Sequence, residues 1–204
     1  MTWILLILTL SASVLAFRNP DIGLKWRFSP WMIREKKEYY RFFSYALIHA
    51  DWMHLGVNLF VLFSFGRAVE HLFAWHFPGK ALFYYGILYV GGILFASLPS
   101  YGKHKDNPYY AAIGASGAVS AVVFSSIIMR PMAGIMLFPI PFEFPAVVFG
   151  VLYLIYSAYM AKRGQDNIGH DAHFWGAVFG IVFTLALKPA LLSGMFEQIM
   201  QGMP

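Results

Sequence analysis

Residues 111–129 read AAIGASGAVSAVVFSSIIM, a run of nineteen residues without a charged side chain. A membrane-spanning helix needs about 20 predominantly apolar residues, with a range of about 17–25, so this run predicts a transmembrane helix. Five other apolar runs predict five more. The sequence therefore predicts an all-α membrane protein, one domain over residues 1–204 built as a six-transmembrane-helix bundle, with spans near residues 2–17, 52–69, 81–98, 111–129, 145–160 and 172–192.

The composition supports a membrane protein. Of the 204 residues, 59% are hydrophobic and only 12% are charged, whereas a soluble domain carries about 25% charged residues. This composition argues against a soluble globular fold, and it excludes a disordered chain, which would be poor in aromatic residues. Cysteine is absent, which excludes disulfides and thiolate nucleophiles. The net charge of +5 indicates contact with anionic headgroups of a lipid bilayer, not with nucleic acid.

The first two spans are joined by a long segment, residues 18–48, in which basic and aromatic side chains are interleaved. This mixture is typical of the headgroup region, where rings lie at the interface and cations meet phosphates. We expect a long, partly membrane-associated first loop; a plain solvated loop is the alternative. Its basic residues are Arg18, Lys25, Arg27, Arg34, Lys36, Lys37 and Arg41.

The lysines and arginines also bear on orientation in the membrane. Eleven of them lie on the first, third and fifth loops, and four lie at the opposite ends of the spans. Because cytoplasmic loops carry the excess of positive charge, this count predicts that both termini lie on the non-cytoplasmic side.

Polar side chains inside the spans are the candidates for function, since such groups are costly in a bilayer. On the second span, His54 and Asn58 lie four residues apart and share one helix face. Both can donate hydrogen bonds, as stabilisation of an oxyanion requires. The alternative is that they form hydrogen bonds between helices, which are common in membrane bundles.

The fourth span carries the small-residue motif Gly114-Ala115-Ser116-Gly117. Small neighbours leave the Ser116 hydroxyl approachable, and a position at a helix start leaves free backbone N–H groups beside it. A nucleophilic serine next to an oxyanion site is one explanation. Close packing of small residues between helices is the other, and for this motif alone it is the commoner one.

On the sixth span, Ala172, Gly176 and Gly180 recur every four residues, a stripe that lets another helix approach closely. If the fourth span is that partner, His173 comes within reach of Ser116. A histidine that can take the serine proton is the minimum that a serine nucleophile requires.

Two further polar residues begin the sixth span. His170 is the rival base, and we expect it to be solvated near the loop. Asp171 lies two residues before His173 and is expected to face another direction. The second, fourth and sixth spans begin on the same side of the membrane, so His54, Ser116 and His173 share a depth, which favours catalysis over packing.

These motifs occur in a fixed order. They resemble those of the rhomboid intramembrane serine proteases over about residues 40–185. A serine motif alone would be weak evidence for the family. An ordered set of motifs, each with its residues spaced along one helix, is specific evidence. The matching residues are Arg41, His49-x4-His54-x3-Asn58, Gly66-Arg67-Ala68-Val69-Glu70, Gly114-Ala115-Ser116-Gly117 and Ala172-His173-x2-Gly176-x3-Gly180.

The resemblance implies a bundle of the rhomboid type with a Ser–His dyad in a water-accessible cavity below the membrane surface. Ser116 would be the nucleophile and His173 the general base. His54, Asn58 and the Ser116 backbone N–H would form the oxyanion hole. No cofactor and no metal are implied. Substrates would be single-span transmembrane proteins, cut in or near the transmembrane segment.

The resemblance also implies supporting roles. His49 would be a supporting histidine, while Arg41 and Glu70 would anchor the first loop. The loop 161–171 would cap the site, and the fifth span would be a lateral gate. The aromatic residues of that span are Phe149, Tyr153, Tyr156 and Tyr159.

Orientation follows a different rule in the family. Bacterial members usually keep the N-terminus in the cytoplasm, which opposes the charge count. We follow the resemblance, because a long and partly membrane-associated first loop is a case that the charge rule handles poorly. The expected location is a prokaryotic cell (inner) membrane, with the chain as an integral multi-pass protein.

One position departs from the family pattern. Some members have a tyrosine one turn after the serine, stacked on the catalytic histidine, and here that position is Ser120. The departure affects the ring contact and leaves the dyad residues in place.

Two other functions are open at this point. A catalytically inactive rhomboid-like binder or escort of membrane proteins usually lacks the serine or the histidine, and both are present here. A metal-dependent hydrolase would use His49, His54, His170 and His173, but the sequence has no His-Glu-x-x-His motif. The sequence predicts no particular oligomeric state or physiological substrate.

Overall fold

The structure is a computed structural model that describes residues 1–136, 141–163 and 169–202. Within these ranges the chain is mainly helical, with one short β-hairpin and a 3-10 turn at Tyr45–Leu47. The helices are α1 (Thr2–Arg18), α2 (Pro20–Trp26), α3 (Pro30–Lys36), α4 (Arg41–Ser44), α5 (Trp52–His76), α6 (Ala81–His104), α7 (Ser116–Met129), α8 (Ala146–Arg163), α9 (His170–Leu187) and α10 (Ala190–Gly202), and the strands are β1 (Gly134–Met136) and β2 (Glu143–Pro145).

Helix α7 lies at the centre of the bundle. Every residue from Gly117 to Met129 is buried, and α5, α6, α8 and α9 all pack against it. A helix that is apolar on every side is expected to be buried, and the small residues of α7 allow its neighbours to approach closely. The apolar run 111–129 therefore supplies the core of the fold.

The outer helices present large apolar side chains to their surroundings. Phe60, Trp75 and Ile155 are 71%, 82% and 62% exposed, and soluble monomers rarely expose contiguous surfaces of this kind. By length and composition, α5, α6 and α9 can cross a membrane, while α1 and α7 are shorter apolar helices. A mainly helical membrane protein is thereby confirmed, and the count of six spans stays a prediction.

Several helix boundaries differ from the predicted spans. Helices α5 and α6 continue to His76 and His104, beyond the expected ends near residues 69 and 98. The fourth span was expected to be helical from residue 111, but the helix begins at Ser116 because Gly114 has a φ of +120°. The sixth span was expected to run through Pro189 to residue 192. It ends at Leu187 instead, since proline cannot donate the backbone hydrogen bond that a continued helix needs, and α10 begins after it.

The first loop is built from α2, α3, α4 and the 3-10 turn. Arg41 is only 4% exposed, and its guanidinium donates to the carbonyls of Leu24 at 3.1 Å and Arg27 at 2.9 Å. The same side chain pairs with the Glu38 carboxylate at 2.5 Å. Arg41 therefore anchors the first loop, as predicted.

Glu70 has a different place from the one expected. It lies about 27 Å along α5 from the start of that helix, away from the first loop. Its carboxylate accepts hydrogen bonds from the Thr2 hydroxyl at 2.7 Å and the Thr2 backbone N–H at 3.4 Å. Glu70 thus ties the start of α1 to α5, and the expectation that it anchors the first loop is wrong.

Candidate active site

Ser116 is the first residue of α7 and is half-buried. The chain enters the helix through Gly114, whose φ of +120° lies in a region that favours glycine. The first N–H groups of a helix have no partner within it. The turn therefore leaves backbone donors beside the Ser116 hydroxyl, as the motif predicted.

The ring of His54 lies directly against this turn. A Cβ atom added to Gly114 would lie 2.6 Å from His54 Cε1 and 2.8 Å from its Nε2, so residue 114 must be glycine on steric grounds as well. Asn58 is buried and donates one amide hydrogen to the His54 carbonyl at 2.9 Å. Its second amide hydrogen is a further donor.

His49 braces the same turn from the other side. Its Nε2 accepts the Ala115 backbone N–H at 3.3 Å, and its Nδ1 lies 3.0 Å from the Ser13 hydroxyl. Because that hydroxyl donates to the Leu47 carbonyl at 3.0 Å, the network assigns the His49 proton to Nδ1. Burial, and secondly the neighbouring His54, lower the pKa of His49, which keeps it neutral and able to accept.

Helices α7 and α9 touch through their backbones. A Cβ atom on Gly176 would lie 2.0 Å from the Gly117 carbonyl oxygen, and one on Gly180 would lie 2.2 Å from that of Ala121. A Cβ atom on Gly117 would in turn lie 3.2 Å from the Ala172 carbonyl oxygen. The predicted packing of the small-residue stripe against the fourth span is confirmed.

This contact determines where the predicted dyad residues lie. Ser116 directly precedes Gly117, and His173 directly follows Ala172, so both stand at the same end of the α7–α9 interface. Both side chains are half-buried. The site thus gathers a hydroxyl, an imidazole, and the donors of His54 and the α7 N-terminus, the groups that acyl transfer by a serine nucleophile requires.

The sequence did not indicate the contact that α8 makes with His173. The Tyr153 ring stacks on the His173 ring with centroids 6.2 Å apart and an interplanar angle of 27°. The Tyr153 hydroxyl lies 2.7 Å from the Ser120 hydroxyl. The sequence signal at this point was Ser120, which stands where the resemblance implied a tyrosine in some members.

Of the expectations for the two other polar residues at the start of α9, one was wrong and one agrees with the structure. His170 is only 4% exposed, because the Tyr156 ring of α8 packs on it at 5.4 Å, so the expectation that it is solvated was wrong. Its ring also packs against the His173 ring in a T-shaped arrangement, with centroids 5.9 Å apart. Asp171 faces elsewhere, as predicted, and pairs with Lys103 at 3.7 Å.

Two expectations concern metals and the cap. Among residues 1–136, 141–163 and 169–202, no group of three or more histidine and acidic side chains is placed to hold a metal ion. Nothing in this part of the chain therefore favours the metal-dependent hydrolase.

The predicted cap, 161–171, includes residues 164–168, which lie outside the described residues.

Comparisons with known proteins agree with the motifs. Residues 36–190 match the family model described as the Rhomboid domain. The chain spans about half the length of the curated relatives that it matches. These relatives include Rhomboid-like protein 11, chloroplastic, of Arabidopsis thaliana (27% identical, covering 74% of this chain and 53% of the relative), RHOMBOID-like protein 12, mitochondrial, of the same plant (30%, 67% and 43%), and Rhomboid protein 1, mitochondrial, of Saccharomyces cerevisiae (25%, 81% and 48%).

Proposed function

Because this chain belongs to the rhomboid family, we propose that it is an intramembrane serine endopeptidase using a Ser–His dyad. It hydrolyses peptide bonds in or near the transmembrane segments of single-span membrane proteins. The observation that carries the proposal is the backbone contact between α7 and α9, which puts Ser116 and His173 at one end of a shared interface.

The chemistry follows from the side chains at this end. Ser116 Oγ attacks the scissile carbonyl carbon while His173 takes the hydroxyl proton. The oxyanion accepts hydrogen bonds from the Ser116 N–H, His54 and Asn58. His173 then gives its proton to the leaving amine, and a water molecule, deprotonated by the same histidine, hydrolyses the acyl-enzyme. The reaction uses no cofactor.

The membrane placement is part of the proposal. Six spans, α1 and α5 to α9, form a single domain over residues 1–204, with α2 to α4 of the first loop at the bilayer surface. Helix α8 is the lateral gate. We place the N-terminus in the cytoplasm of a prokaryotic cell; the relatives named above are chloroplastic or mitochondrial and do not support this location, which rests on the sequence resemblance.

The test is labelling of the purified protein by a fluorophosphonate probe, together with cleavage of a single-span test substrate in proteoliposomes. We expect Ser116→Ala and His173→Ala to abolish both. Ser193→Ala on α10, whose hydroxyl donates to the local Ala190 carbonyl, is the matched control and should behave as wild type.

The results separate the candidate functions. Cleavage that survives in Ser116→Ala or His173→Ala would rule out the dyad. A wild-type protein that binds the test substrate but neither cleaves it nor takes the probe would instead be the inactive binder or escort. Activity that disappears with a chelator would indicate the metal-dependent hydrolase.

A further inference from the structure

Position 120 lies one turn after Ser116 on α7, on the helix face that carries the serine. Its side chain is a serine hydroxyl that is 5% exposed, too short to cover the imidazole of His173. A ring nevertheless lies on that imidazole, and it comes from Tyr153 of α8.

The Tyr153 side chain is held at several points. Its hydroxyl shares a 2.7 Å hydrogen bond with Ser120. Its ring meets Phe124 of α7 with centroids 5.6 Å apart, and Phe149 of α8 at 5.7 Å. These separations fall within the range of favourable aromatic pairs, about 4.5–7 Å. The ring that faces His173 is therefore fixed in both position and rotation.

We propose that Tyr153, held by the hydroxyl of Ser120, is the positioning residue that orients the His173 imidazole toward Ser116. The inference rests on the proposed proteolytic function. Tyr153 stacks on the imidazole, while His170 packs against it in a T-shaped arrangement at 5.9 Å, so the two rings together limit its rotation.

The bridge that Tyr153 makes has a consequence for α8. Its hydroxyl partner is on α7, next to the nucleophile, and its ring partner is the base on α9. A single side chain of α8 thus links the two helices that carry the dyad. The docking of α8 sets the orientation of the base. A displacement of α8 from the bundle would remove the Tyr153 ring and leave the imidazole free to rotate.

The first test removes the ring. Tyr153→Leu should lower kcat about 2- to 13-fold, the fold-change that corresponds to loss of one aromatic pair, with KM unchanged because the ring does not bind substrate. Tyr153→Phe, which keeps the ring, should restore most of the rate. Phe196→Leu, which removes an exposed ring of α10 outside the proposed site and gate, is the matched control and should match wild type.

The second test examines the Ser120 hydrogen bond. Ser120→Ala and Tyr153→Phe each remove one hydroxyl of the same pair. Their effects on kcat should therefore coincide, and the double variant should be no slower than either single one. This cycle does not depend on the folding of Tyr153→Leu, and thermal unfolding of each variant checks that it is folded.

The outcomes distinguish this inference from the proposed function. If wild type takes the fluorophosphonate probe, Ser116→Ala does not, and Tyr153→Leu retains the wild-type kcat, the positioning role is wrong and the protease assignment stands. Additive effects of Ser120→Ala and Tyr153→Phe would also overturn the role of Ser120. If wild type does not take the probe, the proposed function fails and the inference with it.

Discussion

Gly176→Ala tests whether the spacing of α7 and α9 sets the geometry of the site. The added methyl carbon would lie 2.0 Å from the Gly117 carbonyl oxygen. Real Cβ atoms essentially never approach another heavy atom closer than 3.0 Å, so about 1 Å of movement is required. Both groups belong to helix backbones, and neither can swing aside, so α9 must shift relative to α7.

The expected loss of activity follows from this shift. His173 is carried by α9 three residues before the substitution, and Ser116 adjoins the contacted residue on α7. A misplacement of about 1 Å in reacting groups can lower the rate about 100-fold, and we expect a loss of that size in kcat/KM. Overpacking should lower the free energy of unfolding by about 1–3 kcal/mol, offset in part by the better helix propensity of alanine, about 1 kcal/mol.

The assay is steady-state cleavage of a single-span test substrate in proteoliposomes, with thermal unfolding measured on the same samples. Gly194→Ala on α10 is the matched control, because among the described residues no heavy atom beyond its own stretch of helix lies within 4 Å of the added carbon. It should keep the wild-type rate. A folded Gly176→Ala protein whose kcat/KM stays within about threefold of wild type would refute the link between helix spacing and catalysis.

Two further predictions concern the serine turn. Asn58→Ala should lower kcat about 10²–10³-fold with little change in KM, as loss of one oxyanion donor does; a raised KM with intact kcat would mean that the amide binds substrate instead. The pKa of His49 is lower in the folded protein than its ordinary value of 6.5. Its contribution to stability is therefore present above that pH and is lost as the pH falls below it. Between pH 7.5 and pH 5 the melting temperature of wild type should fall further than that of His49→Gln, and equal falls would contradict this.

The packing of the site was predictable from the sequence because it depends on small residues at helical spacing. Gly176 and Gly180 lie one turn apart, and a stripe of this kind has no other efficient partner than another small-faced helix. The run 111–129 contains such a face around Gly117 and was therefore a candidate partner, and the structure shows the two helices in contact.

The helix ends were harder to predict, because apolar composition does not report backbone dihedral angles. Residues 111–115 are as apolar as α7 itself, yet the φ of Gly114 takes them out of the helix. Pro189 gave a local signal for the end of α9. Membrane bundles do tolerate proline within a helix, but here the chain ends one helix at Leu187 and begins another at Ala190.

The contacts of α8 could not be read from the sequence, since they depend on how that helix lies across α7 and α9. The fifth apolar run shows four aromatic residues without indicating which of them face the bundle. Tyr153 and Tyr156 lie three residues apart and reach His173 and His170, whereas Tyr159 is exposed. The burial of His170 follows from the same packing.

The nearest carboxylate in the sequence, that of Asp171, pairs with Lys103 on α6. A carboxylate placed in the buried part of the site would itself need partners, since a buried charge is stable only when it is paired and hydrogen-bonded. Glycine contacts and a stacked tyrosine position an imidazole without adding charge to the membrane interior. In the proposed protease, helix spacing and ring packing would orient the base, and we expect sequence changes that shift α8 or α9 to alter catalysis before they alter the fold.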